Sequence, residues 1–323
     1  MIIVTGAAGF IGSCVVAECN ARGIEDILVV DHYDGPDDLK KRNLENKKYV
    51  QYCDKADFLN LVKTRQFAHS IECVIHMGAC SSTTLNDEQY FQENNFEYTK
   101  TLAQWALEHN IRFIYASSAA TYGDGSAGYK DDDATTRKCR PLNLYGWSKQ
   151  NFDLWAMDNN VLDKIVGLKF FNVFGPNENH KGDMRSVVAK SYAQVVEEGK
   201  MRLFKSAHPD YGDGEQKRDF IYVKDAVDMV MFFVDHPNIN GLFNVGTGKA
   251  QTWNELAEAL FAAVGQKPNI EYFEMPDVLK ERYQYFTQAE MSKIRKAGYT
   301  KECAPLKKAV ADYATYLKSG TYL

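Results

Sequence analysis

The chain has 323 residues, 45% of them hydrophobic and 25% charged, with a formal net charge of −5. That length suits one large or two moderate globular domains with a sizeable core. The acidic balance and the lack of a basic tail exclude a nucleic-acid binder, and no apolar run reaches the length of a membrane span.

Ile2-Ile3-Val4-Thr5 reads as a strand at the very start, so no signal peptide is expected. Gly6-Ala7-Ala8-Gly9-Phe10-Ile11-Gly12 follows at once, then a helical stretch to about Ala21. Strand, glycine turn and helix together make a dinucleotide-binding signal. Gly6, Gly9 and Gly12 let the backbone turn tightly and approach a pyrophosphate, and the helix N-terminus offers it unpaired N–H groups. Ile27-Leu28-Val29-Val30-Asp31 is a second strand ending in an acid, which would receive a ribose hydroxyl and favour NAD. Lys40, Lys41 and Arg42 follow and would pair with a 2′-phosphate, so NADP stays open as well.

Tyr49 to Asp54 reads as a third strand with Lys55 at its end, followed by a helix over about 56–69. Cys73 to His76 is a fourth, running into the small-residue loop after Met77, where a cofactor can pass close to the backbone. His76, in an apolar strand, reads as packing. A helix over about 86–109 contains Asn94-Asn95, which costs helix propensity. An amide facing the cofactor or an exposed polar face would account for it. Phe113 to Ala116 is a fifth strand, delivering Ser117 and Ser118 to its C-terminal end, where open α/β sheets bind ligands. Residues 124–143 read as a surface loop.

In Tyr145-Gly146-Trp147-Ser148-Lys149 a Tyr and a Lys lie one helical turn apart on one face. A free phenol has a pKa of about 10. A neighbouring ammonium favours the phenolate, which can then take a proton from an alcohol. Ile165 to Phe171 is a sixth strand, closed by a turn at 172–176. Strand–helix alternation then breaks down. Helices are expected over about 184–199, 252–264, 288–297 and 304–318, and a strand and turn at Phe243 to Gly248. The pattern predicts an α/β fold: a Rossmann-type doubly wound parallel sheet of six or seven strands, with a smaller mixed α/β substrate domain. Residues 1–170, with returning segments at about 217–247 and 288–303, would form the dinucleotide-binding domain. The remainder of 171–323 would form the substrate-binding domain. Cys14, Cys19, Cys53, Cys73, Cys80, Cys139 and Cys303 are scattered, without C-x-x-C spacing. They read as free thiols of a cytoplasmic protein, and no metal is expected.

The glycine turn, Ser118 and Tyr145-x-x-x-Lys149, in that order, resemble the extended short-chain dehydrogenase/reductase family of nucleotide-sugar enzymes. The resemblance implies that Ser118, Tyr145 and Lys149 form the catalytic set, with Lys149 also on the nicotinamide ribose. Residues 216–225 resemble the family's R-D-F-x-x-V-x-D element, implying that Arg218 meets a nucleotide diphosphate and that its strand returns to the main sheet. Ser118-Ala119-Ala120 stands where the family's dehydratases carry Thr-Asp-Glu, so elimination is not expected. The blocks at 78–84, 116–123, 175–184 and Arg282 to Gln288 resemble the subgroup of epimerases acting at C6″ of an ADP-heptose, for lipopolysaccharide core supply. Transient oxidation and re-reduction with bound NADP is then implied, with Tyr145 and Lys181 as the two bases, one for each face of the carbinol.

By position, the resemblance implies further cofactor contacts from Phe10, Ile11, Asp31, His32, Lys40, Lys55 and Asn94. It adds the loop Met77, Gly78, Ala79, Cys80 and Ser81, then Val173 and Lys181. Substrate contacts are implied for Ser118, Asn172, Asp183, Lys190, Phe204, Lys205, Ser206, Ala207, Arg218 and Tyr283. His32, Met77, Asp183 and Lys190 depart from the family's commonest residues, and 207–215 is an insertion. Lys40 and Lys55 support NADP, with NAD possible. The family also implies a homo-oligomer, often a pentamer. A UDP-hexose 4-epimerase and a non-catalytic NADP-binding regulator remain alternatives.

Overall fold

The computed structural model describes residues 1–67, 70–280 and 283–323. Its strands are β1 (Ile2–Thr5), β2 (Ile27–Asp31), β3 (Gln51–Asp54), β4 (Cys73–His76), β5 (Arg112–Ser118), β6 (Val166–Phe170), β7 (Asn172–Phe174), β8 (Met201–Phe204), β9 (Lys217–Tyr222), β10 (Gly241–Val245), β11 (Ala250–Thr252) and β12 (Ile270–Phe273). The first half carries helices α1 (Phe10–Ala21), α2 (Lys55–Thr64), α3 (Glu88–Phe91), α4 (Tyr98–Glu108), α5 (Asp133–Lys138) and α6 (Leu144–Asp158). The second half carries α7 (Val187–Glu198), α8 (Val223–Asp235), α9 (Trp253–Ala263), α10 (Asp277–Lys280), α11 (Ser292–Lys296) and α12 (Leu306–Ser319).

Seven strands form the main sheet in the order β10-β6-β5-β4-β1-β2-β3, and every pairing in it is parallel. A parallel sheet is covered on both faces, which is why β1 and β4 are buried along their whole length. Adjacent residues of β1 point to opposite cores. Val4 joins Val15, Val29, Ile75 and Val227 on one face. Ile3 joins Leu28, Val74, Phe113 and Phe152 on the other. Since β1 pairs with both β2 and β4, the strand order reverses there, opening a crevice beyond the C-terminal ends of β1 and β4.

Several sequence expectations change in the second half. Residues 172–174 form β7 rather than part of a turn, and β7 pairs in parallel with β9. Strand β9 therefore does not return to the main sheet; it lies between β7 and β11. The main sheet is completed by β10, which pairs with β6, while the Phe171 N–H donates to the Val245 carbonyl. Residues 124–143 are more than a surface loop. Asp131 is 2% exposed and accepts from the Asn244 N–H at 2.8 Å, and Asp132 caps α5. The helix expected over 56–69 stops at Thr64, where Arg65 turns left-handed, and its expected end at 68–69 lies outside the described residues. The helix expected over 288–297 starts only at Ser292.

Candidate active site

Gly6 has φ +65°, and a Cβ there would lie 2.6 Å from the Gly78 Cα. A Cβ on Gly12 would lie 2.0 Å from the Gly6 carbonyl oxygen. Both glycines are therefore needed to pack turn, helix and the loop after β4 against one another. Gly9 caps α1 without a side-chain partner, which leaves first-turn N–H groups available to an anion. That cradle fits a dinucleotide pyrophosphate.

Asp31, at the end of β2, accepts from the Ala8 N–H at 2.8 Å and the His32 N–H at 2.7 Å. Lys40 Nζ lies 3.3 Å from Asp31 Oδ1 and 3.5 Å from Asp38, which caps the 3-10 turn Leu39–Leu44. An acid and a cation thus sit together where the adenosine ribose would lie. Lys41 turns away to the Pro36 carbonyl at 2.6 Å. Lys55 Nζ donates to Asn94 Oδ1 at 2.9 Å. His32 lies between Asp34 and Asp54, at 3.3 and 3.2 Å.

Residues 92–97 form a π-helical segment between α3 and α4, which is how two asparagines are accommodated in mid-helix. Asn95 is 1% exposed. It pairs with both backbone groups of Cys80 at 2.9 Å and donates to Ser148 Oγ, also at 2.9 Å. Asn95 therefore fixes the loop after β4 against α6, a role that its sequence position did not reveal.

Asn143 caps α6 through the Gly146 N–H at 2.8 Å, setting the helix that presents Tyr145 and Lys149. Ser118 closes β5 opposite them. Lys149 Nζ donates to the Ala116 carbonyl at 2.7 Å. Burial pushes the Lys149 ammonium down to about 8, opposed by Asp153 and Cys80. Burial also pushes the Tyr145 phenol up, opposed by a hydrogen bond from Ser118. Burial therefore opposes ionisation of both groups, and the Ser118 hydrogen bond is what counts toward the phenolate.

Lys181 sits in the 3-10 turn Asn179–Met184, which is kinked at Gly182 (φ +53°). Its Nζ lies 5.2 Å from the centre of the Phe10 ring. Burial pulls its pKa down, with Glu178 opposing. Glu178 is fully buried and held by the Ser186 hydroxyl and N–H and by the Tyr313 hydroxyl.

One cavity of about 1750 Å³ is lined by Ser118, Tyr145, Lys149 and Lys181 together. The glycine turn, Asp31, His32, Lys40, Lys55, the loop 77–81, Asn94, Asn172 and Val173 line it too. Phe220, Trp253, Leu256, Gln284 and Thr287 also reach it, and sequence reading missed them. The other eight expected substrate residues lie outside that lining, and three of them, Arg218, Tyr283 and Phe204, gather in one cluster. Arg218 is 6% exposed, with its guanidinium 5.2 Å from the Tyr283 ring and 5.8 Å from the Trp253 ring. Phe204 meets Tyr283 edge-on at 6.5 Å. The indole N–H of Trp253 donates to the Tyr283 hydroxyl at 3.0 Å, so Trp253 joins this cluster to the cavity. No carboxylate pairs with Arg218 among the described residues. Lys205 pairs with Glu274, and Ser206 accepts from the His208 N–H. Ala207, Asp183 and Lys190 are exposed, the last donating to the Asp183 carbonyl at 3.3 Å. Arg282 lies outside the described residues.

The profile of the NAD dependent epimerase/dehydratase family matches residues 2–246, which contain the glycine turn, Ser118, Tyr145, Lys149 and Lys181. The chain belongs to that family. Among its epimerases, the ADP-L-glycero-D-manno-heptose-6-epimerase of Nitratidesulfovibrio vulgaris strain DP4 is 53% identical over 313 residues, covering 97% of this chain and 96% of the relative. The enzyme of that name from Fusobacterium nucleatum is 46% identical over 334 residues, covering 100% of each. The crystal structure of Helicobacter pylori ADP-L-glycero-D-manno-heptose-6-epimerase superposes with a TM-score of 0.78 at 25% identity, covering 98% of this chain and 96% of that one. The UDP-glucuronic acid 4-epimerase of Bacillus cereus, in complex with UDP-glucuronic acid and NAD, shares the fold at a TM-score of 0.78 and 23% identity, covering 98% of this chain and 99% of that one.

Proposed function

We propose that this family member is an epimerase that interconverts ADP-D-glycero-D-manno-heptose and ADP-L-glycero-D-manno-heptose by inverting C6″. The observation that carries the reading is that Tyr145 and Lys181, two side chains chemically able to transfer a proton, line one cavity from separate elements. Inversion through a ketone presents opposite faces of one carbon, and a base on each side serves both orientations. Relatives of that name at 42 to 53% identity over nearly the whole chain support it.

A nicotinamide bound in the cavity would supply oxidation of the C6″ carbinol and its reversal. Gly6, Gly9 and Gly12 would hold the pyrophosphate, and Asp31 the ribose. Lys40 and Lys55 are the groups suited to a 2′-phosphate, which favours NADP. Ser118 would hydrogen-bond the reacting oxygen, and Lys149 would bond the nicotinamide ribose. Tyr145 would take the C6″ hydroxyl proton in one orientation and return it on reversal. Lys181 would do the same in the other, and burial, by pulling its pKa down, favours the neutral amine that accepts a proton. Arg218, with Tyr283 and Phe204, would hold the nucleotide diphosphate end of the sugar. A cytoplasmic homo-oligomer supplying lipopolysaccharide heptose completes the proposal.

The test is incubation with ADP-D-glycero-D-manno-heptose, followed by NMR at C6″. Inversion without net reduction, abolished by Tyr145→Phe, is expected. Turnover of UDP-galactose with no inversion at C6″ of the heptose would transfer the assignment to a 4-epimerase.

A further inference from the structure

Asn43 is fully buried on the 3-10 turn Leu39–Leu44, one turn along from Lys40. Its amide nitrogen faces three acceptors. They are the Ala8 carbonyl of the glycine turn at 2.8 Å, the Asn177 carbonyl at 3.0 Å and His180 Nδ1 at 3.2 Å. Its amide oxygen has no partner among the described residues. The acceptors around its nitrogen set the amide's orientation, so this side chain acts here as a donor. His180 precedes Lys181, and burial holds its imidazole down at about 4, so the ring is neutral at pH 7 and Nδ1 accepts from Asn43 with the ring proton on Nε2. Asn177 is itself tied to α1, its amide donating to Ser13 Oγ at 3.0 Å. A single buried amide thus joins the Lys40 turn, the glycine turn and the Lys181 turn.

We propose that Asn43 is a positioning residue that links filling of the adenosine end of the cavity to the placement of Lys181. The inference rests on the reading of Lys40 as a nucleotide contact and Lys181 as a proton-transfer group. A nucleotide drawn to Asp31 and Lys40 fixes the turn 39–44, and Asn43 passes that constraint to His180. Linkage makes the effect reciprocal: whatever the nucleotide does to the Lys181 turn, that turn does to nucleotide affinity.

The test is hydrogen exchange of peptides spanning 178–186, with and without saturating adenosine 2′,5′-bisphosphate and, separately, 5′-AMP. These fill the adenosine end without carrying a nicotinamide. In the native protein at least one nucleotide should slow exchange there by roughly fivefold or more, the low end of site-to-site coupling. Asn43→Ala and His180→Ala should each lose that slowing. Leu44→Ala, on the same turn and buried at 5% exposure, should keep it because the amide is untouched. Slowing by neither nucleotide in the native protein overturns the proposal. So does full slowing in a folded Asn43→Ala, or in His180→Ala should Asn43→Ala fail to fold. The exchange result does not depend on turnover, so failure of the epimerase reading would appear separately, in the NMR assay.

Discussion

Asp153 and Lys169 form an ion pair at 2.6 Å in which neither side chain is exposed to solvent. Asp153 lies on α6, one turn beyond Lys149, and Lys169 lies on β6. The carboxylate also accepts from the Tyr115 hydroxyl at 2.8 Å and Ser117 Oγ at 2.7 Å, and Lys169 donates to Thr121 Oγ1 at 2.8 Å. The group fastens α6 to the strand that ends in Ser118. Asp153→Asn keeps the shape but leaves a buried ammonium with no countercharge. Breaking a buried pair in this way costs about 3–5 kcal/mol, a large share of an ordinary domain's stability of about 5–15 kcal/mol. Asp153→Asn combined with Lys169→Met removes the stranded charge. The Asn oxygen can still accept from Tyr115 or Ser117, and the Thr121 hydroxyl keeps its bond to the Ser118 carbonyl at 2.8 Å. The double variant should therefore be more stable than Asp153→Asn alone, by about 1–3 kcal/mol. Urea denaturation followed by circular dichroism measures both. A single variant within about 1 kcal/mol of native, or a double variant less stable than the single, would refute the assignment of charge coupling to this pair.

Gly12→Ala forces a Cβ to within 2.0 Å of the Gly6 carbonyl oxygen, so the turn must shift. Dinucleotide affinity should fall by at least about tenfold in fluorescence titration, equivalent to about 1.4 kcal/mol. Lys181→Arg keeps the charge but removes the group that can be neutral, since guanidinium does not deprotonate in proteins. Inversion at C6″ should drop by about 10²-fold or more in the NMR assay, with dinucleotide binding retained. Lys149 gives a stability signature. Its ammonium titrates at about 8 in the folded chain against an ordinary 10.5, so between those values the unfolded chain binds more protons. Native stability should therefore rise with pH from about 8 to 10 relative to Lys149→Met, by on the order of 2 kcal/mol. Below 8 the difference should be flat, as measured by urea midpoints across pH.

What was legible in the amino-acid order was what short-range spacing carries. The run Ile2 to Gly12 contains strand, turn and helix within eleven positions, and Tyr145 and Lys149 share a face through the helical repeat alone. Strands buried on both faces read as continuous apolar runs, which is why most of the main sheet could be drawn in advance. Beyond residue 170 the elements are short, and their partners are distant in sequence. Nothing local says that β9 pairs with β7 and β11 while β10 takes the open edge beside β6. Nothing local marked Asn43, Asp153 or Lys169 for burial, and Asn94-Asn95 left a cofactor-facing amide and an exposed face both open. The burial of Asn43, Asn95, Asp153 and Lys169 arises from segments that meet only in the folded chain, such as Asn43 against residues 177–180. The electrostatics follow the same rule. A Lys one turn from a Tyr predicts a favoured phenolate, but burial raises the Tyr145 phenol and lowers the Lys149 ammonium, a cost of removing charge from water that helical spacing does not carry.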